Sequence, residues 1–272
     1  MKPSTVRVVF MGEKPLAAWC LERLLELPQV DVTAVCTRRP MQVWWGTQVV
    51  RSLAERRGIP IVKRSHVLSL EVDLILSVLY PFVVEAPVLA RATRGAFNLH
   101  GAPLPRYRGC NGVSHAIING DDRFGVTLHR MSPEVDGGPI VHVEWFPIDP
   151  METAKDLYDR ATEVSKDVWR RWLPRLLVSD VPTYVPSPDE PSFFHPRHSL
   201  ADKEADLNWP AQKLWNFVRG MDFPPFPPAH TTLSSGRRIE LRAQPGDGPG
   251  PAGSGKSNPV RPRARVGLAQ VL

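Results

Sequence analysis

Cysteine is scarce in this chain, and its scarcity excludes several classes of protein. Only three cysteines occur among 272 residues, at Cys20, Cys36 and Cys110. They lie far apart, without a Cys-x-x-Cys pair or a cysteine–histidine spacing typical of metal ligands. The sequence therefore predicts neither a disulfide framework nor structural zinc, and we expect no metal at the functional site.

Long hydrophobic runs are also missing. A membrane-spanning helix needs about 18 or more consecutive apolar residues, and no such stretch occurs. The first residues show no apolar stretch before a small-residue cleavage site, so they do not indicate secretion. We therefore expect no membrane association and a cytoplasmic location. The apolar fraction of 42% is nevertheless ample for a globular core.

Glycine is sparse where a dinucleotide-binding protein needs it. The apolar run at 6–11 ends at Gly12, but the other glycines of a Gly-x-Gly-x-x-Gly pattern are absent, so NAD(P) is not expected. The formal net charge of +6 comes from arginines spread along the chain, with several basic residues near the C-terminus. A solvated surface explains this charge without a nucleic-acid partner, and a modest preference for phosphorylated substrates is the alternative.

What the chain does contain is an alternation of strand-like and helix-like patterns. β-branched runs at 6–11, 30–36 and 72–79 are separated by segments with helical periodicity. Such alternation predicts an α/β fold with a doubly wound, mostly parallel, Rossmann-like sheet. In this fold class, ligands bind at the carboxyl ends of the strands.

The rest of the chain indicates three successive segments. We predict a catalytic domain at 1–180 and a short C-terminal extension at 181–243, made of a helix and a small hairpin. The composition of 244–272 collapses into Gly, Pro, Ser and Arg, which predicts a disordered tail.

The candidate catalytic residues lie on short polar interruptions between apolar strand-like runs. Asn98 and His100 are two residues apart on an extended run, so both side chains leave the same face. Asp136 lies in a polar, Gly-rich loop that joins two further extended runs. An amide, an imidazole and a carboxylate together suit the transfer of an acyl group to an amine. The alternatives are a loop cap for Asn98, a core histidine for His100 and a turn former for Asp136.

Each of these groups has a defined use in such a reaction. Negative charge develops on the oxygen of a carbonyl that an amine attacks, and one well-placed donor lowers the barrier by about 3–4 kcal/mol. A carboxylate can orient the ammonium or hold the histidine in a useful protonation state, and general acid–base help contributes about 10²–10⁴-fold. We find no evident Ser or Cys nucleophile; Cys110 fits a small buried side chain. His115, His129 and His142 show no partners in the sequence and are expected to be structural or exposed.

An ordered series of motifs carries a family resemblance. These are Asn98/His100, the Leu-Pro-x-Tyr-x-Gly loop at 104–109, Ala-Ile-x-x-Gly at 116–120, Gly-Val-Thr at 125–127 and Asp-x-Gly-x-Ile at 136–140. With them the chain resembles the formyltransferases that use 10-formyltetrahydrofolate, and weaker similarity covers 6–241. The family loop often has His-Pro-Ser-Leu-Leu-Pro, whereas this chain lacks that serine hydroxyl.

The resemblance implies roles for particular residues. Asn98, His100 and Asp136 would be the catalytic residues. The folate would bind to the segment that leaves a buried strand, namely Leu79, Tyr80, Pro81, Phe82 and Val83. Tyr107, Arg108 and Asn111 would contact the substrate, with Arg106 and Arg108 as candidates for a phosphate or for the folate glutamate. Ordinary exposed arginines are the alternative for these two.

The resemblance is strongest to the sugar N-formyltransferases, particularly those of the GDP-perosamine type. It implies transfer of a formyl group to the primary amine of a nucleotide-linked amino-deoxy sugar, by a homodimer. Only about forty residues follow Ala201 before the Gly/Pro-rich tail, which is short for the C-terminal barrel of a methionyl-tRNA formyltransferase. Other hypotheses stay open: another small amine, methionyl-tRNA, hydrolysis of formyltetrahydrofolate, or a binding module without catalysis. The sugar, the nucleotide and the pathway are not encoded in any motif.

Overall fold

The computed structural model describes residues 5–39, 41–178 and 180–244. Of the predicted disordered tail, all residues after Gln244 lie outside this described part. The helices are α1 (Pro15–Leu25), α2 (Val49–Arg56), α3 (Ala86–Leu89), α4 (Gly112–Asn119), α5 (Ala154–Val178) and α6 (Ala211–Met221), with a short 3₁₀ helix at Arg64–Ser69. The strands are β1 (Val6–Gly12), β2 (Val30–Cys36), β3 (Leu74–Val78), β4 (Ala96–His100), β5 (Tyr107–Gly109), β6 (Arg123–Arg130), β7 (Ile140–Pro147), β8 (Phe193–His195), β9 (Ala229–Thr232) and β10 (Arg238–Leu241).

The chain divides into two compact units, each built from several segments. The first comprises the described residues within 1–109, 125–145 and 161–194. The second comprises those within 110–124, 146–160 and 195–272. The sequential division predicted from the sequence, at 1–180, 181–243 and 244–272, stays a prediction.

A six-stranded sheet with the order β2-β1-β3-β4-β6-β7 forms the centre of the first unit. Its first four strands are parallel neighbours, whereas β6 runs antiparallel to β4. The order reverses beside β1, with β2 on one side and β3 on the other, which is the arrangement in which α/β sheets bind ligands. The predicted α/β class with a mostly parallel, Rossmann-like sheet is confirmed.

Alternating side chains bury both faces of this sheet. On β1, Val9 and Met11 join an apolar cluster on one face. Phe10 points to the other face, where its ring lies 6.5 Å from that of Trp169 on α5. All five residues of β3 are buried, as expected for a central parallel strand covered on both sides.

The second unit has its own small core. Ala205, Val218, Met221, Ala229 and Leu241 form an apolar cluster between α6 and the β9–β10 hairpin, where the sequence predicted a helix and a hairpin. α4 and α6 approach closely at Gly220, where a Cβ would lie 2.6 Å from Cγ1 of Ile118. No helix within the described residues is both long enough and apolar enough to cross a membrane.

Candidate functional site

The central strand β4 presents two of the predicted catalytic residues on one face. Asn98 and His100 are partly exposed, whereas Phe97 and Leu99 between and beside them are buried. The antiparallel register places Asn98 opposite His129 and His100 opposite Thr127 on β6. Because directly opposed residues of neighbouring strands share a face, β6 adds His129 to the same side of the sheet.

The contacts of His129 define its tautomer. Its Nδ1 lies 2.8 Å from the carbonyl oxygen of Arg130, which can only accept, so Nδ1 carries the hydrogen. Nε2 therefore has a lone pair and accepts from the Asn98 amide at 3.0 Å. Burial lowers the pKa of His129 from 6.5 to about 4, and the nearby Asp136 only partly opposes this effect. His129 is neutral near pH 7, and it orients the Asn98 amide.

His100 uses its two ring nitrogens differently. Nε2 donates to the carbonyl oxygen of Tyr107 at 2.8 Å, because that oxygen offers no hydrogen. Nδ1 lies 3.6 Å from Oδ2 of Asp136. Nδ1 is therefore the nitrogen that can gain or lose a proton, and a proton on it faces a carboxylate.

Asp136 reaches both histidines from the loop between β6 and β7. Its Oδ1 lies 3.6 Å from Nε2 of His129, and its Oδ2 accepts from the backbone N–H of Gly109 at 2.9 Å. The side chain is only 13% exposed. Burial alone would raise the pKa of this carboxyl, but His100, His129, the Gly109 amide and Arg108 outweigh burial and lower it. The carboxylate is thus ionised beside two imidazoles.

The backbone around Asp136 is tightly constrained. Asp136 has φ of +50°, in the left-handed region that side chains other than glycine rarely adopt. A Cβ at Gly138 would overlap the carbonyl oxygen of Arg130, so this position tolerates only glycine without a backbone shift. Strained conformations of this kind persist where the surrounding structure fixes them, which is common at functional sites.

A buried hydroxyl fixes the loop that follows β4. Thr127 is fully buried; it donates to the carbonyl oxygen of Ala102 at 2.8 Å and accepts from the N–H of Leu104 at 3.0 Å. This loop contains the Gly101-Ala102 segment in which the family serine is missing. Thr127 on β6 therefore anchors this loop through its side chain.

The three predicted substrate contacts occupy different environments. The Tyr107 side chain is 1% exposed, and its carbonyl oxygen accepts from His100. Arg108 donates twice to the carbonyl oxygen of Val135. Asn111, in the second unit, has φ of +61° at the start of α4, and its amide donates to Arg197 and Ser199. Contact of these side chains with a substrate stays a prediction.

The predicted folate-binding segment directly follows β3, whose carboxyl end lies beside that of β4. Leu79 adopts φ of +50°, and its side chain lies close to Gly101, next to His100. Tyr80 and Phe82 pack edge to face, with ring centroids 5.4 Å apart. Phe82 and Val83 are 45% and 55% exposed, so they offer an apolar surface. Binding of a flat heterocycle to this surface stays a prediction.

The sequence indicated no partners for His115, His129 and His142, which were expected to be structural or exposed, and the structure now shows contacts for all three. His129 contacts Asn98 and lies near Asp136, as described above. His142 lies 2.9 Å from Glu144, and His115 lies 2.8 Å from the Ser199 hydroxyl. The signal that could have identified His129 is its position on β6: it shares the face of Thr127 two residues earlier. The sequence pattern of β6 does not, however, predict the register between β6 and β4 that places His129 opposite Asn98.

The described residues contain no cluster of three or more His, Cys, Asp or Glu side chains arranged to hold a metal ion. Asn98, His100 and Asp136 themselves offer hydrogen-bond donors, acceptors and a negative charge. An amide donor, an exchangeable imidazole and an ionised carboxylate surround one position at the end of β4. This arrangement can stabilise an oxyanion and move a proton without a covalent intermediate.

Sequence comparisons find formyl transferases that are similar to this chain. The family model for formyl transferase matches residues 46–173. A methionyl-tRNA formyltransferase from Methylobacterium sp. strain 4-46 is 33% identical over 269 residues, covering 92% of this chain and 85% of the relative.

Solved structures share the fold. A 4-N formyltransferase from Francisella tularensis superimposes with a TM-score of 0.73 at 17% identity, covering 88% of this chain and 98% of that one. An N-formyltransferase from Helicobacter canadensis, solved with folinic acid and dTDP-3-aminofucose, gives 0.72 at 19% identity, covering 87% and 86%. The predicted enzyme class and its one-carbon donor, 10-formyltetrahydrofolate, are confirmed. The chain belongs to the formyl transferase family.

Proposed function

We propose that this enzyme transfers the formyl group of 10-formyltetrahydrofolate to the primary amine of a nucleotide-linked amino-deoxy sugar. The observation that carries formyl transfer is the meeting of Asn98, His100 and Asp136 at the end of β4, with His129 behind them. The donor supplies an electrophilic formyl carbon. The protein must stabilise charge on the formyl oxygen and remove a proton from the amine.

Asn98 has the role of oxyanion donor. Its Nδ2 carries two hydrogens, and His129 accepts one of them at 3.0 Å. The second hydrogen is left for the formyl oxygen, on which negative charge develops during attack. Because His129 is neutral, its Nε2 keeps a lone pair that accepts from the amide and fixes its orientation; a protonated ring could not accept there.

His100 and Asp136 handle the proton. The attacking nitrogen loses a proton as the carbon–nitrogen bond forms, and Nδ1 of His100 accepts it. The resulting imidazolium is stabilised by the Asp136 carboxylate 3.6 Å away, while the Tyr107 carbonyl holds Nε2. The folate nitrogen that the formyl group leaves takes up a proton, so the protein ends the cycle with its original proton count.

Leu79, Tyr80, Pro81, Phe82 and Val83 are proposed to hold the folate. The segment continues from β3, the parallel neighbour of β4, and Ser77 is paired with Asn98. A ligand on the exposed Phe82 and Val83 surface would lie at the same carboxyl edge of the sheet as the catalytic residues. The backbone of this turn offers amide donors and carbonyl acceptors to a pterin.

Two observations support a small sugar nucleotide as the acceptor. The structural likeness extends over 98% of the Francisella chain and 86% of the Helicobacter chain, and the latter was solved with a nucleotide-linked amino sugar. Several arginines that could form a basic nucleic-acid surface are instead paired with acids, including Arg7, Arg64 and Arg108. We also propose that the protein acts as a homodimer.

Methionyl-tRNA is the second candidate acceptor. It is favoured by the sequence relatives, because a methionyl-tRNA formyltransferase is 33% identical over 92% of this chain. Both candidates present a primary amine to the same catalytic residues. They differ in size and in charge, so an acceptor panel separates them.

The experiment measures tetrahydrofolate release and product mass with 10-formyltetrahydrofolate and four classes of acceptor. These are 4-amino and 3-amino dideoxysugar nucleotides, methionyl-tRNA, a small peptide-like amine, and water alone. A sugar product heavier by one carbonyl supports the proposal. Turnover on methionyl-tRNA or the peptide-like amine without turnover on any sugar rejects the acceptor class. Folate release that no amine increases indicates a hydrolase.

A further inference from the structure

The side chain of Arg108 is bound to the loop that carries Asp136. Nε and Nη2 both donate to the carbonyl oxygen of Val135, at 2.9 and 2.6 Å. Nη2 also lies 2.7 Å from Oε1 of Glu134. Arg108 is 18% exposed and Glu134 is 66% exposed, so the carbonyl contact is the better shielded of the two.

The neighbouring backbone makes a second connection to the same loop. The N–H of Gly109 donates to Oδ2 of Asp136 at 2.9 Å. Residues 108 and 109 therefore bind two consecutive residues of the loop. The Arg108 side chain binds the carbonyl of Val135, and the Gly109 amide binds the side chain of Asp136. Asp136 has a left-handed backbone at φ of +50°, so it needs such external contacts to stay in place.

The guanidinium group suits this task better than another cation. Its planar fork presents two N–H groups in a fixed geometry, so both can converge on one carbonyl oxygen. A lysine ammonium can make one contact there but cannot fix its direction as well. While this contact persists, the Nε and Nη2 hydrogens that bind the Val135 carbonyl are not available to a substrate phosphate.

We propose that Arg108 is a positioning residue for Asp136: by binding the Val135 carbonyl, it holds the Asp136 carboxylate beside His100 and His129. This inference rests on the proposed catalytic role of Asp136 but not on the identity of the acceptor. It contrasts with the sequence prediction that Arg108 contacts the substrate. The two roles give opposite kinetic signatures.

A kinetic comparison separates them. Arg108→Gln removes the fork and is expected to lower kcat about 10- to 100-fold, with the KM of each substrate within about threefold, because small displacements of a reacting group have effects of this size. Glu134→Gln removes only the exposed ion pair and is the matched control, expected to keep kcat within about twofold. The kcat of Arg108→Lys should lie between those of Arg108→Gln and Glu134→Gln. Added guanidinium ion should restore part of the kcat of Arg108→Ala.

A second readout needs no acceptor. Titration of the Asp136 carboxyl carbon by ¹³C NMR reports its environment directly, and Arg108 is one of the groups that lower the pKa of this carboxyl. Arg108→Gln should raise that pKa, whereas Glu134→Gln should not. If no sugar nucleotide is turned over, the proposed acceptor fails while this titration still decides the role of Arg108.

The two possible roles of Arg108 predict different results. Thermal unfolding first establishes that each variant is folded, and Arg108→Lys replaces Arg108→Gln in every measurement if the latter is not. A tenfold higher KM for the acceptor with unchanged kcat would make Arg108 a substrate contact and overturn the proposal. An unchanged Asp136 titration together with unchanged kcat would overturn it as well. A lower kcat with guanidinium rescue and a raised Asp136 pKa supports it.

Discussion

Asn98 on β4 and His129 on β6 lie directly opposite each other, and their side chains are joined by a hydrogen bond of 3.0 Å. The bond joins the amide that we propose to be catalytic to a buried neutral imidazole, whose other nitrogen contacts the backbone carbonyl of Arg130. The orientation of Asn98 is therefore set by the strand register as well as by its own rotamer. Because His129 contacts Asn98 and lies 3.6 Å from Asp136, we propose that it is a positioning residue.

Replacing His129 should reduce turnover without preventing folding. In His129→Leu the Asn98 amide loses its acceptor and can rotate, so its second hydrogen no longer points reliably to the formyl oxygen. Losing one well-placed donor costs about 10²–10³-fold in kcat, and a misdirected donor should cost about 10-fold or more. Steady-state formyl transfer at pH 7 measures this effect. An unchanged kcat in His129→Leu would show that His129 does not position Asn98 for catalysis.

The pH dependence of stability should reveal the neutral His129. Its pKa is about 4 in the fold and about 6.5 when the chain is unfolded, so the unfolded state binds more protons between these values. The stabilisation by neutral His129 is therefore complete above about pH 6.5 and is lost as the pH falls toward 4. His129→Gln should make the plot of unfolding temperature against pH less steep in this window.

His115 provides the control for that titration. Burial, followed by the nearby His195, lowers the pKa of His115 to about 4 as well. His115→Gln should also make the plot less steep, but it should leave kcat at pH 7 unchanged because His115 lies outside the catalytic group. If His129→Gln showed the same slope of unfolding temperature against pH as the unmodified protein, His129 would not be buried and neutral.

Two adjacent glycines should differ sharply in their tolerance of alanine. A Cβ at Gly138 would overlap the backbone carbonyl oxygen of Arg130, so Gly138→Ala must shift the loop that carries Asp136. We expect the free energy of unfolding to fall by about 3 kcal/mol or more, the range of severe backbone conflicts, together with lower activity. Denaturant unfolding measures the first effect.

Gly137→Ala is the matched control. The three atoms nearest to its Cβ would all belong to the side chain of Glu134, the first at 2.5 Å, and that flexible, 66% exposed side chain can move away. The unfolding free energy should change by about 1 kcal/mol or less. Equal effects of both substitutions would contradict the tight packing of Gly138 on Arg130.

Much of the fold could be predicted because burial follows the strand period. Val9 and Met11 face one apolar cluster and Phe10 faces the other side, as an alternating pattern requires. The apolar segment 59–62 does not form a full strand, since it makes only an isolated bridge between Ile61 and Val35. Pro60 lacks the N–H that a continuous ladder would need, and it contributes only its carbonyl oxygen.

The candidate site was predictable only in part. The spacing of Asn98 and His100 gives their common face directly, since side chains two apart on a strand point the same way. The contact of Asn98 with His129 depends on the register between β4 and β6, which short-range patterns do not contain. The left-handed backbone of Asp136 and the use of Arg108 on Val135 depend on contacts between distant loops, so they too required the structure.

The most direct test of the proposed chemistry is kcat for Asp136→Asn, measured by tetrahydrofolate release with a turned-over amine acceptor. The amide keeps the shape of the carboxylate and can still accept from Gly109, but it cannot stabilise an imidazolium on His100. We expect kcat to fall about 10²-fold or more, the contribution of general acid–base catalysis, with KM little changed. A kcat within about twofold of the original, in a folded variant, would contradict catalysis by these residues.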